Sequence, residues 1–212
     1  MISVENAYYK YPTADAYALA GFSARFQRGE ITAVRGKNGC GKTTLTKLLA
    51  GILRPSSGNV TIDSIDTSSM GLFDFGRRVG YVFQNPNRQL FCDTVYNEVA
   101  FGLRNMKMEE EQTAEKVSYY LGYFDLMQYG DLYPGKLSMG EKQRLALAAV
   151  LALGTDYLVL DEPTTGLDAR RSGELGLLLS ELRDQFGCGI VLVSHEAGFI
   201  ARYADRELVM TR

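Results

Sequence analysis

At 212 residues, 46% apolar and 23% charged, the chain is long enough for one compact domain with an insert and too short for two full enzymes. Lysine and arginine (23) nearly balance aspartate and glutamate (25), and the net charge of −2 excludes the basic field of a nucleic-acid binder. The opening MISVENAYYK has no apolar core, the richest apolar stretch (145–153) is about half a membrane span, and Cys40, Cys92 and Cys188 form no CxxC pair, so the expectation is a cytosolic chain without signal peptide, membrane helix, disulfide framework or familiar zinc spacing.

In chain order, ISVENAYY (2–9), FSARF (22–26) and VTID (60–63) read as short strands broken by Pro12, Gly21, Gly29 and the turn 55–58. They predict an antiparallel sheet. Between them the run 31–34 predicts a strand leading into a helix over 42–53, and the next strand is 80–83. From Gln84 to Leu137 the strand signal disappears; NPNRQ, the acidic MEEEQ and a Tyr-rich helix from about 109 to 128 predict a helical insert. Helices over 140–153 and 168–186 alternate with strands 157–160 and 190–193, whose unbroken apolar character is that of parallel strands covered on both faces. The expected order is α/β, with neither a low-complexity tract nor an internal repeat.

Directly after the strand 31–34, GKNGCGKT (36–43) carries the pattern G-x-x-x-x-G-K-[ST] in a strand–loop–helix context. Gly36, Gly39 and Gly41 let backbone N–H groups turn inward on a polyphosphate, the helix dipole adds positive potential, Lys42 reaches the β- and γ-phosphates, and the Thr43 hydroxyl ligates Mg²⁺. Lys37, Asn38, Cys40 and Thr44 complete the expected nucleotide-binding stretch, and Cys40, near backbone dipoles and a helix start, favours a thiolate if solvent reaches it. A Gly-rich turn that only caps a helix is the bland alternative. The loop by itself leaves kinases, GTPases and motor ATPases open.

Further on, LSMGEKQR (137–144) opens an apolar helix, and Ser138 followed by Glu141 has the spacing of a capping box. Either Ser138 caps its own helix, or Ser138 and the Gly140 amide face a second phosphate; these residues alone leave both open. Asp161 and Glu162 end the continuous strand YLVL, at the carboxyl edge of a parallel sheet where open α/β folds bind ligands. After a phosphate loop, this pair reads as a Mg²⁺ carboxylate (Asp161, often through water) and a general base that polarises the attacking water (Glu162).

Taken together, GKNGCGKT, LSMGEKQR, LVLDEPTTGLD and VSH in this order resemble the ATP-binding cassette ATPases, over nearly the whole chain. The resemblance implies a P-loop NTPase (RecA-like) α/β core with an N-terminal antiparallel β-subdomain and an inserted α-helical subdomain: one nucleotide-binding domain over 1–212, with 1–84 and 141–212 as core and 85–140 as the insert. It further implies ATP and Mg²⁺ as cofactors, and a head-to-tail dimer in which Ser138, Met139, Gly140 and Glu141 reach the nucleotide of the other subunit. By the same resemblance Gln84 links Mg²⁺ and the lytic water to the transporter contact, Asp168 faces its twin subunit, His195 is the γ-phosphate switch, and Tyr11 stacks on adenine.

The stretch from Gln84 to Leu103 is similar to that of the energy-coupling factor and cobalt-type ATPases. This implies an importer of a vitamin or transition-metal ion, with a transmembrane coupling subunit, a substrate-binding membrane subunit and a second cassette (identical or not) as partners, no nucleic acid, and a place on the cytoplasmic face of the membrane. The alternative is a soluble cassette ATPase acting on a macromolecular complex, although Lys42 and Ser138 lie too close for the long coiled coil of repair and chromosome types. Two departures stand out. Met139 replaces the family's glycine, and the sequence stops at MTR, before the usual closing hairpin, as a naturally short chain or an excised module would.

Overall fold

The computed structural model describes residues 1–211. It begins with β1 (Ile2–Tyr9), β2 (Leu19–Phe26), β3 (Ile31–Gly36), α1 (Lys42–Leu49), β4 (Ser57–Ile62), β5 (Ile65–Asp66), α2 (Leu72–Gly76) and β6 (Val79–Val82). Helices α3 (Val95–Asn105), α4 (Glu110–Tyr123) and α5 (Met139–Leu151) follow. The chain closes with β7 (Tyr157–Asp161), α6 (Ala169–Phe186), β8 (Gly189–Val193), α7 (Ala197–Tyr203) and β9 (Arg206–Met210). It divides into two compact units, Met1–Tyr81 with Asp156 onward, and Val82–Thr155.

The first unit carries two sheets. One has the order β2-β1-β4-β5 with antiparallel pairing, as the broken N-terminal strands predict. The other has the order β6-β7-β8-β3-β9, in which the adjacent pairs β7–β8, β8–β3 and β3–β9 are parallel. Every residue of β7 and β8 is buried, which explains why both read as continuous apolar runs. Leu45, Leu48 and Leu49 of α1 join Val34, Val159, Val191 and Val193 in one core with Ile2, Val4 and Ile62 of the antiparallel sheet. Register then fixes the site: Val193 pairs with Asp161 on one side and Val34 on the other, so the carboxyl ends of β3, β7 and β8 stand side by side.

The second unit is helical. Thr94 caps α3 by accepting the Asn97 N–H at 3.1 Å, and Val99, Leu103, Val117, Leu121, Leu145 and Ala148 are buried where α3, α4 and α5 pack on one another. These contacts place the whole of α5 in the second unit, whereas the boundary implied by the resemblance, 140/141, falls within it.

Several helices are shorter than their patterns. The first ends at Leu49 rather than Leu53, because Ala50 closes it and Gly51 turns left-handed with φ +69°. The helix expected from about 109 to 128 ends at Tyr123, with a separate turn at Met127–Tyr129. No helix among the described residues is long and apolar enough to cross a membrane.

Candidate active site

The phosphate loop leaves the end of β3 and turns into α1 through Gly41, which adopts φ +100° and cannot carry a side chain: a Cβ there would lie 2.3 Å from the Ala18 carbonyl oxygen. No side chain caps α1, so its first-turn N–H groups are available to an anion. Lys42 is buried, and its ammonium donates to the Gly36 carbonyl at 2.9 Å and the Lys37 carbonyl at 3.1 Å, folded back over the loop. Gly36, Lys37, Asn38, Cys40, His195 and Met210 line a cleft of about 790 Å³ beside it. Cys40 is only 7% exposed and packs in the core, with the cleft as its approach to solvent.

Thr43 and Thr44 lie on the first turn of α1. Thr44 shares a hydrogen bond with the Tyr11 hydroxyl at 3.3 Å, which ties the loop after β1 to the phosphate-loop helix. The Tyr11 ring is braced edge-on by Tyr9, with centroids 4.9 Å apart. Thr43 stands beside the Asp161 carboxylate, whose charged form its hydroxyl favours. On the other side of Asp161, the Tyr81 hydroxyl donates to Oδ2 at 3.3 Å.

Burial pushes the Asp161 carboxyl above its ordinary value and neighbouring Glu162 adds to this, while the hydroxyls of Thr43 and Tyr81 oppose it. Burial also pushes Tyr81 up to about 12, so its hydroxyl stays a donor at neutral pH. Two oxygen donors, one an anion whose burial opposes its charge, suit a small hard cation such as Mg²⁺. Among the described residues no group of three or more His, Cys, Asp and Glu could hold a metal by itself, so such a cation would complete its shell from phosphate oxygens and water.

Glu162 occupies a left-handed backbone conformation, φ +50°, at the end of β7, while its N–H bonds the Val193 carbonyl at 3.0 Å. This bend, uncommon for a residue with a side chain, turns the Glu162 carboxylate toward His195, whose Nε2 lies 3.2 Å from Oε1. Thr165 donates to the other carboxylate oxygen at 3.3 Å. A carboxylate held between an imidazole and a hydroxyl, next to a buried hard-oxygen pair, can accept a proton from water.

The first unit thus brings together Gly36–Thr44, Tyr11, Asp161, Glu162 and His195 from four separate segments. Asp168 stands apart, where it caps α6 by accepting the Arg171 N–H at 2.8 Å. Gln84, Ser138, Met139, Gly140 and Glu141 belong to the second unit. Gln84 is exposed just beyond β6, and the adjoining turn is closed by Asn85, which accepts from Asn87 N–H at 3.0 Å. Ser138 and Glu141 form the full capping box: Ser138 N–H donates to the Glu141 carboxylate at 2.7 Å, and Glu141 N–H to the Ser138 hydroxyl at 3.4 Å. Met139 is 45% exposed at the tip of α5. Tyr81 was not legible as a site residue, because strand pattern does not say which side chain reaches a neighbouring strand's carboxylate.

The family model described as "ABC transporter" matches residues 19–165. A Pyrococcus furiosus protein whose name assigns it provisionally to the ABC transporter ATP-binding proteins is 44% identical over 211 residues, covering 100% of this chain and 80% of that one. The energy-coupling factor transporter ATP-binding protein EcfA3 of Clostridium perfringens is 38% identical, with 99% of this chain and 74% of that one covered. Among solved structures, cbiO1 of Clostridium perfringens, described as part of the ABC transporter complex cbiONQ, superposes with a TM-score of 0.90 at 37% identity over 99% of this chain and 84% of that one. A dimeric ATP-binding cassette in a post-hydrolysis state bound to ADP and Pi gives a TM-score of 0.85 at 26% identity, covering 100% of this chain and 94% of that one.

Proposed function

This chain belongs to the ABC transporter family as its ATP-binding, ATP-hydrolysing component, and from that premise we propose that it powers a membrane importer of the energy-coupling factor type, for a vitamin or a transition-metal ion. In this reading Gly36–Thr44 cradle the phosphates, Lys42 exchanges its bonds to the loop carbonyls for bonds to phosphate, and the Tyr11 ring takes the adenine. Thr43, Asp161 and Gln84 hold Mg²⁺, which when bound offsets phosphate charge. Glu162 takes the proton of the attacking water and His195 steadies the γ-phosphate. The observation that carries this reading is Glu162, bent at φ +50° to within 3.2 Å of His195 and directly following the buried Asp161.

Two chains act head to tail, with Ser138, Met139, Gly140 and Glu141 of one completing the site of the other and Asp168 facing the twin. Resemblance to the dimeric cassette bound to ADP and Pi supports that arrangement. The chain then sits on the cytoplasmic face of the membrane against a transmembrane coupling subunit and a substrate-binding subunit. Similarity to EcfA3 and to cbiO1 supports those partners. The test is what the tagged protein brings down from detergent-solubilised membranes: a small hydrophobic coupling protein with a second cassette is expected, whereas a ribosome or a soluble adaptor would overturn the importer reading.

A further inference from the structure

Two buried hydroxyls lie one step behind the Glu162–His195 pair. Thr164, 3% exposed, follows Glu162 by two residues, and Ser194, 1% exposed, directly precedes His195. Their oxygens are 3.4 Å apart, a side-chain link between the two segments beside the Glu162–His195 pair itself. The Ser194 oxygen already accepts the Glu196 N–H at 3.1 Å, so its own proton is free to point at Thr164 Oγ1. Thr164 in turn anchors the next turn, since its carbonyl accepts the Leu167 N–H at 3.0 Å. On the far side of the histidine, the Glu196 carboxylate accepts the Ser172 hydroxyl at 3.3 Å, and Ser172 is buried near the start of α6. The segment 194–196 is thereby held on both sides of His195 by groups belonging to the chain that follows Glu162.

We infer that Thr164 and Ser194 are positioning residues: their buried hydroxyl contact sets how closely the His195 ring approaches the Glu162 carboxylate. Strand pairing alone does not do this. The β7–β8 ladder ends at Asp161 and Val193, one residue short of Glu162 and two short of His195, and the Glu162 N–H to Val193 bond fixes a backbone, not the two side chains. At 3.4 Å the contact is longer than the optimum for two hydroxyls, as active-site bonds are before substrate draws the site together. A hydroxyl pair also suits the place chemically, because either partner can donate and neither adds a charge beside Asp161 and Glu162.

This inference rests on the proposed roles of Glu162 and His195, so Glu162→Gln is assayed in parallel with Thr164→Val, Ser194→Ala and Thr164→Ser. ATPase turnover at saturating Mg-ATP and equilibrium binding of a fluorescent ATP analogue are measured on each purified chain, after thermal melts show it folded. Thr164→Val and Ser194→Ala should each lower kcat about tenfold with nucleotide affinity within twofold of the parent. Thr164→Ser, which keeps the hydroxyl, should restore kcat to within twofold. The double variant Thr164→Val/Ser194→Ala should lose no more than the worse single, because only one contact is removed. If Glu162→Gln abolishes turnover while Thr164→Val retains it, or if Thr164→Ser fails like Thr164→Val, the positioning role is overturned. If Glu162→Gln turns over normally, the catalytic reading beneath it falls instead.

Discussion

Gly41→Ala against Gly39→Ala separates two effects that the phosphate loop superimposes. Both glycines are left-handed, φ +100° and +79°, so an alanine at either position costs about 1–2 kcal/mol of backbone strain. They differ in what the new methyl would meet: nothing within 4 Å at Gly39, but the Ala18 carbonyl oxygen at 2.3 Å and Leu19 Cδ2 at 2.9 Å at Gly41. Relief at Gly41 requires a backbone shift, which adds about 1–3 kcal/mol as overpacking does elsewhere. At roughly 2–4 °C per kcal/mol for a chain of this size, the melting temperature should fall by about 5 °C in Gly39→Ala and by on the order of 10 °C in Gly41→Ala.

The displacement should also reach the nucleotide. Ala18 N–H bonds the Tyr9 carbonyl at 2.8 Å, so the strand end that Gly41 would push on is the one from which Tyr11 extends. Gly41→Ala should therefore weaken ATP binding more than its thermal loss alone accounts for. Melts of the nucleotide-free variants, followed by nucleotide titration, make the comparison. Equal destabilisation by the two alanines would refute the argument, because it would leave the Ala18 clash with no effect.

Asp161→Asn should stabilise the nucleotide-free protein at neutral pH while abolishing Mg²⁺-dependent hydrolysis. Burial raises the folded-state pKa of Asp161, so the ionised form is less favoured folded than unfolded; removing the charge helps above that pKa, and the gain fades as pH falls through it toward the ordinary carboxylate value. Melts across the acid range check the sign, and a gain that grows on acidification would contradict it. Met139→Gly should keep or raise steady-state ATPase, since Met139 is exposed at the first turn of α5 and its side chain is not part of the capping box. A tenfold loss in the folded variant would make methionine part of the mechanism.

How much of this was legible follows from what each signal depends on. The strands YLVL and IVLV, the phosphate loop and the cap of α5 are local patterns, and β7, β8, the β3–α1 turn and the Ser138–Glu141 box appear where those patterns put them. Strand β9 is not legible because RELVM opens on two adjacent charges and leaves Val209 exposed, the profile of a sheet edge rather than of a core strand. Helix α2 spans five residues and α7 seven, too few turns for a 3.6-residue period to show. Site contacts such as Tyr81 with Asp161 and Thr164 with Ser194 join residues 80 and 30 apart in sequence. They depend on β7 lying between β6 and β8, an order that no single segment encodes.

The central claim is that Glu162 is the base of an ATPase whose two sites close only when two chains meet. Glu162→Gln, isosteric and still able to accept the Thr165 hydroxyl, tests it in one sample measured two ways, by phosphate release and by light-scattering mass with and without Mg-ATP. ATP affinity should be retained, turnover should fall by about 10²–10⁴-fold as it does when a positioned general base is removed, and the mass should double only with Mg-ATP present. Turnover close to that of the parent, in a protein that stays monomeric with nucleotide bound, would contradict both halves of the claim.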